Sequence, residues 1–196
     1  MSRLPHGGRI DRAQPIAFTW DGRELQGCAR DTLASALLAN GVHVVARSAV
    51  LGRPRGVVAA GPEEPNAFVQ LRAPWDEPLV AATRIDLAPG LAAHPLDGHG
   101  RLDGAPEDAR YDKRYAHCDV LVAGGGPAGL AAALAAARSG ARVLLAEQDS
   151  ELGGRLLDAA GARAETGAAW VAAARAELAA HPEVTVLTRA TVVGAY

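Results

Sequence analysis

One short segment, DVLVAGGGPAGL at residues 119–130, restricts the fold of this chain more than any other. An apolar run leads directly into three glycines and then into a helix-forming stretch, which predicts a buried strand, a tight turn and a helix. Gly124, Gly126 and Gly129 fit the pattern G-x-G-x-x-G. Between a strand and a helix, this pattern is typical of the turn that holds the pyrophosphate of a dinucleotide.

Each glycine of this turn has its own predicted task. Gly124 allows the tight turn, Gly126 lacks the Cβ that would keep the backbone away from a pyrophosphate, and Gly129 lets the helix pack close to the strand. The N-terminus of the helix offers unpaired N–H groups and a partial positive charge to the phosphates. The alternative is that the glycines only form a strand–helix corner.

An acidic residue supports the nucleotide site. Glu147 ends the second apolar run, ARVLLAE, 23 positions after Gly124, where a carboxylate accepts hydrogen bonds from ribose hydroxyls and repels a 2′-phosphate. NAD or FAD is therefore favoured over NADP, and a simple corner would not need this acid. The candidate cofactor-binding residues are Gly124, Gly125, Gly126, Pro127, Ala128, Gly129, Glu147, Gln148, Gly154 and Arg155.

The last two candidates belong to a second glycine-rich segment, ELGGR at residues 151–155. This segment resembles the loop that lies beside the nucleotide in two-dinucleotide flavoproteins, which would allow Arg155 to reach a phosphate. A plain loop with a surface arginine is the open alternative. Around these motifs the order is β-α-β-α-β, with one helix at residues 127–139 and another from Thr166. The second helix has four apolar residues on one predicted side: Trp170, Val171, Ala174 and Leu178. This alternation predicts a parallel sheet with right-handed crossovers, a partial Rossmann-type α/β domain.

The first part of the chain is β-rich with one clear helix. IAFTWDGRELQGCA predicts two strands around a DG turn, and DTLASALLANG predicts a helix capped by Asp31 and stopped at Asn40 and Gly41. VHVVARS and AFVQLR predict further strands. Hairpin, helix, loop and returning strands suggest a β-grasp arrangement, the layout of plant-type ferredoxins.

The predicted division is a β-grasp domain at 1–91, a linker at 92–110 and a dinucleotide-binding domain at 111–196. Glycine and proline are dense after residue 92 and apolar periodicity is lost there, which favours a linker. Its His94 and His99 have no cysteine or second pair to complete a metal site. We therefore expect solvated histidines and no metal site.

Composition excludes several classes of protein. The chain is 49% hydrophobic and 21% charged with a net charge of −2, which is ordinary for a globular protein and gives no general attraction to nucleic acid or anionic lipid. No apolar run reaches the ~18 residues of a membrane span, and the N-terminus has no apolar signal core. The only two cysteines, Cys28 and Cys118, are expected to be thiols in a reduced compartment. The expected location is cytoplasmic, with no nucleic-acid or membrane partner.

Both parts resemble one known family. The segment CDVLVAGGGPAGLAAALAAARSGARVLLAEQDSELGGRLL, and RYDKRYAH before it, resemble the alpha subunit of heterotetrameric sarcosine oxidase. The first part resembles the same subunit through GRELQGCARDTLASALLANGVHVVARS, RPRG and AAGPEEPNAFVQL. The resemblance covers about three quarters of the chain and extends more distantly to the large subunits of opine and proline dehydrogenases and hydrogen cyanide synthase.

The resemblance implies oxidative demethylation of sarcosine to glycine, with hydrogen peroxide formed and the one-carbon unit passed to tetrahydrofolate. It implies NAD at Gly124, Gly126, Gly129 and Glu147, with FAD and the amine site in the beta subunit. FMN lies between the two subunits in the complete complex. The implied partners are the beta, gamma and delta subunits, and the family's alpha subunit continues into a folate-binding aminotransferase-like domain.

The sequence departs from the family pattern in three places. A plant-type two-iron cluster needs four thiolates. Cys28 alone cannot hold one, and members of the sarcosine type also lack these cysteines, so the resemblance implies a structural β-grasp domain. Residues 49–52 replace an aromatic and basic run, and the linker looks shorter than the family's. The chain ends at ATVVGAY, where the family continues, so we expect an incomplete nucleotide domain that does not oxidise sarcosine alone.

Three interpretations stay open. The first is an NAD-binding subunit or fragment of a sarcosine oxidase complex. The second is a non-enzymatic truncated remnant, and the third is an FAD-binding electron-transfer subunit of an amine, opine or proline dehydrogenase. No catalytic residue is predicted, because the sequence has no G-x-S-x-G elbow and no H-E-x-x-H motif.

Overall fold

The chain forms two compact units, Met1–Ala109 and Arg110–Tyr196, in a computed structural model. The structure describes residues 3–6, 8–102, 110–157 and 162–194, without the side chains of residues 62 and 162–165. Among these residues, no helix is long and apolar enough to cross a membrane.

The first unit is built on a five-stranded mixed sheet in the order β2-β1-β7-β5-β6. The neighbours β1 and β7 are parallel, and the other three neighbouring pairs are antiparallel. The elements in chain order are β1 (Asp11–Trp20), β2 (Arg23–Ala29), α1 (Leu33–Ala39), β3 (Ala46–Arg47), β4 (Pro54–Arg55), β5 (Phe68–Ala73), β6 (Glu77–Ala81) and β7 (Ala92–Pro95). Strands β3 and β4 form a separate antiparallel pair.

The core of the first unit lies between the sheet and α1. Leu33 and Leu37 of the helix are fully buried and belong to one apolar cluster with Phe18, Trp20 and Val69 of the sheet. The predicted hairpin of β1 and β2 is present, and its turn residues Asp21 and Gly22 both have positive φ, as a two-residue hairpin turn requires.

The helix α1 begins differently from the prediction. Thr32, not Asp31, is the N-cap: its hydroxyl accepts the Ser35 N–H at 3.2 Å, and the Ser35 hydroxyl accepts the Thr32 N–H at 3.0 Å. Asp31 is buried one position earlier. Its carboxylate accepts from the Cys28 N–H at 2.8 Å, from the Ser35 hydroxyl at 2.6 Å and from Arg3 at 2.7 Å. The helix stop is as predicted, with Asn40 as the C-cap and Gly41 at a φ of +77°.

The predicted linker starts too early compared with the structure. Ala92–Pro95 form β7, which pairs with β1 on one side and β5 on the other. The strand is short and rich in small residues, so it has no alternation to detect, but pairing on both sides stabilises it. His94 is accordingly not a solvated linker residue, since its Nε2 accepts from Arg72 Nε at 2.8 Å. Residues 103–109 of the predicted linker lie outside the described residues.

The second unit contains a three-stranded parallel sheet in the order β10-β9-β8. Its elements are β8 (Val120–Ala123), α2 (Pro127–Arg138), β9 (Val143–Ala146), α3 (Ala162–Ala180) and β10 (Val184–Leu187). The predicted β-α-β-α-β order is confirmed, although α3 begins at Ala162 rather than Thr166.

Both helices of the second unit pack on the sheet through one apolar cluster. Val171, Ala174 and Leu178 of α3 are buried in it, with Val143 and Leu145 of the sheet. The predicted stripe of α3 was wrong in one member, because Trp170 is 38% exposed. One position along a helix turns the side chain by about 100°, so Trp170 points away from the direction that Val171 takes.

Candidate dinucleotide-binding site

The glycine turn follows β8 without a break. The Gly124 N–H donates to the carbonyl oxygen of Ala146 at 2.7 Å, which continues the pairing of β8 with β9 by one residue. Gly124 then adopts a φ of +97°, a conformation in which any Cβ is strained. Glycine at this position is therefore required by the path of the chain itself.

Two more glycines of the turn are required by packing. A Cβ on Gly129 would overlap the carbonyl oxygen of Gly124, and a Cβ on Gly125 would overlap the side chain of Leu152. The first turn of α2 thus lies directly against the turn that precedes it. The close contact of helix and strand expected of Gly129 is present.

Gly126 is different from the other glycines of the turn. It is the N-cap of α2, with a φ of −71° and a ψ of −174°, values that any residue adopts. A Cβ built on it meets no atom within 4 Å. No side chain caps the helix at this residue, so the first N–H groups of α2 have neither an acceptor inside the helix nor a capping side chain at Gly126.

Glu147 lies immediately after β9, and both its carboxylate and its backbone are held by hydrogen bonds. One carboxylate oxygen accepts the Gly125 N–H at 2.6 Å and the other accepts the Asp149 N–H at 2.9 Å. Its backbone N–H donates to Leu187 and its carbonyl accepts from Ala190, both at 2.8 Å. The side chain is buried. Each carboxylate oxygen keeps a further lone pair with which to accept a hydrogen bond.

The second glycine pair packs on the first turn. The Gly153 N–H donates to the carbonyl oxygen of Gly125 at 2.8 Å, and a Cβ on Gly154 would lie 3.1 Å from the Cα of Gly126. Both glycines have positive φ, +131° and +50°. Gly153 and Gly154 therefore approach the turn through backbone atoms, beside the side chain of Leu152, and Arg155 follows on the exposed surface.

The structure brings together most of the predicted residues. Gly124, Gly125, Gly126, Pro127, Ala128, Gly129, Glu147 and Gly154 surround the start of α2, with Gln148 next to Glu147 in the chain. That these residues bind a nucleotide stays a prediction, as does a contact of Arg155 with phosphate. Sequence reasoning missed Leu152 and the N–H of Asp149, which position the turn and the carboxylate. The local sequence around Leu152 and Asp149 contains no pattern that indicates these two contacts.

The ion pairs of the second unit that change pKa values lie away from this turn. Asp119 precedes β8, at the opposite end of the strands, and its hydrogen bonds to Arg142 lower its pKa from the ordinary 3.8 to about 2. Glu177 on α3 pairs with Arg138 on α2 at 2.6 Å, and the hydrogen bond lowers the pKa of Glu177. Both pairs are largely exposed and join neighbouring elements.

The described residues contain no group of three or more histidine, cysteine or acidic side chains able to hold a metal ion. Cys28 and Cys118 are both free thiols, and the chain has no other cysteine. Four thiolates are needed for a plant-type two-iron cluster. The residues present do not fit such a cluster.

Comparisons with known proteins agree with this architecture. Residues 13–97 match the family described as a 2Fe-2S iron-sulfur cluster binding domain, and residues 119–193 match the family of FAD dependent oxidoreductases. The sarcosine oxidase subunit alpha of Corynebacterium sp. strain P-1 is 48% identical over 194 residues, which cover 96% of this chain and 20% of that protein. The chain is a homologue of the sarcosine oxidase alpha subunit.

Two other alpha subunits show the same relationship. That of Corynebacterium sp. strain U-96 is 45% identical over 97% of this chain and 20% of its own length. That of Rhizobium meliloti strain 1021 is 38% identical over 99% of this chain and 25% of its own length. The chain thus spans between a fifth and a quarter of the length of these relatives. The resemblance inferred from the sequence is confirmed.

Among solved structures, L-proline dehydrogenase from P. horikoshii is similar, with a TM-score of 0.61 and 22% identity. The similarity covers 91% of this chain and 34% of that one, and it concerns the fold alone. Together with the family matches, it confirms a ferredoxin-like domain followed by a parallel-sheet dinucleotide-binding domain. In this chain, the ferredoxin-like domain lacks the thiolates for a cluster.

Proposed function

We propose that this chain binds NAD at the glycine turn of its second unit and acts as the dinucleotide-binding part of a sarcosine oxidase complex. The observation that carries the proposal is the open space at Gly126. Backbone geometry requires glycine at position 124, and packing requires it at positions 125 and 129, but neither requires it at 126. A ligand that occupies the space in front of the helix would explain why position 126 is a glycine.

The chemistry of the turn fits a dinucleotide. The N–H groups at the start of α2, with the positive end of the helix dipole, bind the pyrophosphate. Glu147 accepts hydrogen bonds from the ribose hydroxyls through its remaining lone pairs and repels a 2′-phosphate, which favours NAD over NADP. When bound, NAD supplies the chemistry of hydride transfer. The residues of this chain bind and orient it, and none of them is proposed to be catalytic.

FAD is the second candidate for the same turn. The match of residues 119–193 with FAD dependent oxidoreductases favours it, and the turn suits either dinucleotide because both share the ADP half. A purified protein that carries FAD is yellow, whereas NAD leaves it colourless. The visible spectrum therefore separates the two candidates before any titration.

The activity of the complete complex is proposed from the relatives, of which this chain spans a minor part. We propose that the complex oxidises sarcosine to glycine, forms hydrogen peroxide and transfers the one-carbon unit to tetrahydrofolate. The relatives are the alpha subunits of a sarcosine oxidase with further subunits. We propose beta, gamma and delta subunits as the partners, with FMN at a subunit interface, as the family resemblance implies. The cytoplasmic location expected from composition stays a prediction.

Thermal unfolding of the purified chain with NAD, NADP, FAD or no nucleotide tests the binding proposal. A ligand that binds only the folded state adds about 2.7 kcal/mol at 100 times its dissociation constant, which raises the midpoint by about 5–10 °C for a chain of this size. We expect this rise with NAD and not with NADP. A rise with FAD alone would replace NAD by FAD. No rise with any nucleotide would favour the non-enzymatic remnant.

A further inference from the structure

The nine residues that lead into β8, RYDKRYAHC at positions 110–118, are called the connecting segment below. They belong to no helix or strand, and every residue from position 110 to position 117 is exposed. Even the two aromatic residues lie in solvent, since Tyr111 is 76% exposed and Tyr115 is 77% exposed. The connecting segment therefore adds no residue to the apolar core of its unit.

The backbone of the connecting segment is not held by hydrogen bonds. From Asp112 to Cys118 no backbone group bonds to any described residue, and the pairing starts at the Asp119 N–H, which donates to Arg142 at 2.9 Å. Within the segment, Lys113 Nζ lies 5.2 Å from the centre of the Tyr115 ring. Residues two positions apart share one side of an extended chain, so this contact fits an extended backbone.

An exposed, extended and unpaired backbone is what a protease needs in a substrate. A protease binds the substrate chain like an added strand, through hydrogen bonds to its backbone. A segment whose backbone is already paired must open first, and positions 112–118 have no such pairing to open. Arg110, Lys113 and Arg114 supply the side chains that fit an acidic specificity pocket of the trypsin kind.

Other exposed arginines lie on backbone that is hydrogen-bonded. The carbonyl oxygen of Arg55 in β4 accepts the Val45 N–H at 2.9 Å, and the Arg101 N–H donates to Gln70 Oε1 at 2.9 Å. Each of these arginines must leave its partner before it can extend into a protease. The connecting segment thus differs from them in its backbone and not in its exposure.

A cut in the connecting segment leaves both apolar cores whole. The buried cluster of the first unit is made of residues within 18–93, and that of the second unit is made of residues within 122–178. The candidate nucleotide-binding residues lie within 124–155, all after the segment. Cleavage there therefore removes no residue from either core or from the glycine turn.

We propose that the connecting segment is a cleavage site for proteases of trypsin-like specificity, and that both units keep their fold after the cut. The bond that breaks is the peptide bond after Arg110, Lys113 or Arg114. Water adds its hydroxyl to the carbonyl carbon and a hydrogen to the nitrogen of the next residue, so a new carboxyl group and a new amine form. The cleavage goes beyond the proposed function, and only its nucleotide readout depends on that function.

Limited digestion of the full chain with trypsin, followed over time by intact mass, tests the site. A variant that lacks the three cations of the connecting segment is compared with a matched control that lacks three exposed arginines of β2, β4 and α3. The first variant is Arg110→Gln, Lys113→Gln, Arg114→Gln, and the control is Arg23→Gln, Arg55→Gln, Arg175→Gln. We expect the unmodified chain and the control to be cut first in the connecting segment. We expect the segment variant to disappear about tenfold more slowly or worse, because every other site must open first.

Thermal unfolding of the cut chain with and without NAD, after the protease is inhibited, tests whether the units stay folded. We expect two fragments that resist further digestion and an NAD shift equal to that of the intact chain. A first cut outside the connecting segment, equally fast digestion of the segment variant, or breakdown of either unit directly after the cut would overturn the proposal. A shift that is present in the intact chain and abolished by the cut would overturn the survival of the second unit. An intact chain with no NAD shift contradicts the proposed function, while the fragment masses still decide the cleavage.

Discussion

The replacement of Gly126 by valine separates nucleotide binding from folding better than any other change in the turn. Its Cβ would project into space that contains no protein atom within 4 Å, where the pyrophosphate is proposed to lie. Its backbone angles suit valine as well as glycine. We therefore expect Gly126→Val to fold and to lose NAD binding.

The size of each effect follows from the structure. Glycine is a moderate N-cap and valine a poor one, so the variant loses about 0.5–1 kcal/mol of unfolding free energy, or about 1–4 °C in midpoint. The nucleotide-dependent gain of about 2.7 kcal/mol at 100 times the dissociation constant disappears entirely. In contrast, Gly129→Ala adds a Cβ that overlaps the carbonyl oxygen of Gly124. That variant loses about 1–3 kcal/mol or more without any ligand, as overpacked sites do.

The assay is thermal unfolding of each variant with and without NAD, followed by circular dichroism. Ala132→Val serves as the matched control, because Ala132 is an exposed position of the same helix. It adds the same β-branched bulk away from the N-terminus, and we expect it to keep the full NAD shift. A Gly126→Val protein with an undiminished NAD shift would show that the nucleotide does not occupy this space and would refute the assignment.

Three further changes have calculable outcomes. The carboxylate of Glu64 accepts hydrogen bonds from four backbone N–H groups. Burial raises the pKa of Glu64, but the four hydrogen bonds together lower it by more, so that the pKa lies below the ordinary 4.5. Its contribution is thus complete above about pH 4.5 and is lost as the pH falls through the folded-state pKa. Glu64→Gln should be less stable at pH 7 by about 2 kcal/mol, and urea unfolding at a series of pH values should show this difference narrowing below pH 4.5. Asp31→Ala leaves the Cys28 N–H, the Ser35 hydroxyl and Arg3 without their acceptor; we expect a loss of about 2–4 kcal/mol in urea unfolding, and a loss below 1 kcal/mol would contradict the network. Glu147→Gln replaces one acceptor oxygen by a donor amide, so we expect about 1–3 kcal/mol of destabilisation without nucleotide. The measurement is thermal unfolding, and an unchanged midpoint would contradict the two hydrogen bonds.

The second unit could be predicted well from the sequence because its signals are local. The glycine pattern and the apolar runs lie within a few residues of the elements they determine. The helix predicted at residues 127–139 is followed by Gly140, which has a positive φ of +82°. The three strands pair in the simple order that consecutive β-α-β units produce. Its sheet and turn thus needed no information from distant parts of the chain.

Features that depend on distant partners could not be predicted in this way. Strand β7 is held by β1 and β5, whose residues lie far away in sequence, and its own composition resembles a loop. The segment VHVVARS reads as a full strand, but only Ala46–Arg47 pair, with the equally short β4. Asp31 looks like a helix cap in its local sequence, whereas its carboxylate is used to hold Cys28 and Arg3. In each case tertiary contacts override local preference.

Glu147 has two roles, and this changes what an intact motif can mean. In the sequence alone, an acid at this position distinguishes a nucleotide site from a plain corner. In the structure its carboxylate binds the N–H groups of Gly125 and Asp149, so the corner itself uses the acid. A chain that had lost its ligand would still need Glu147, Gly124 and Gly129 to fold. Only Gly126 has no such need, and for this reason nucleotide binding should be judged at Gly126, with Glu147 reserved for the choice between NAD and NADP.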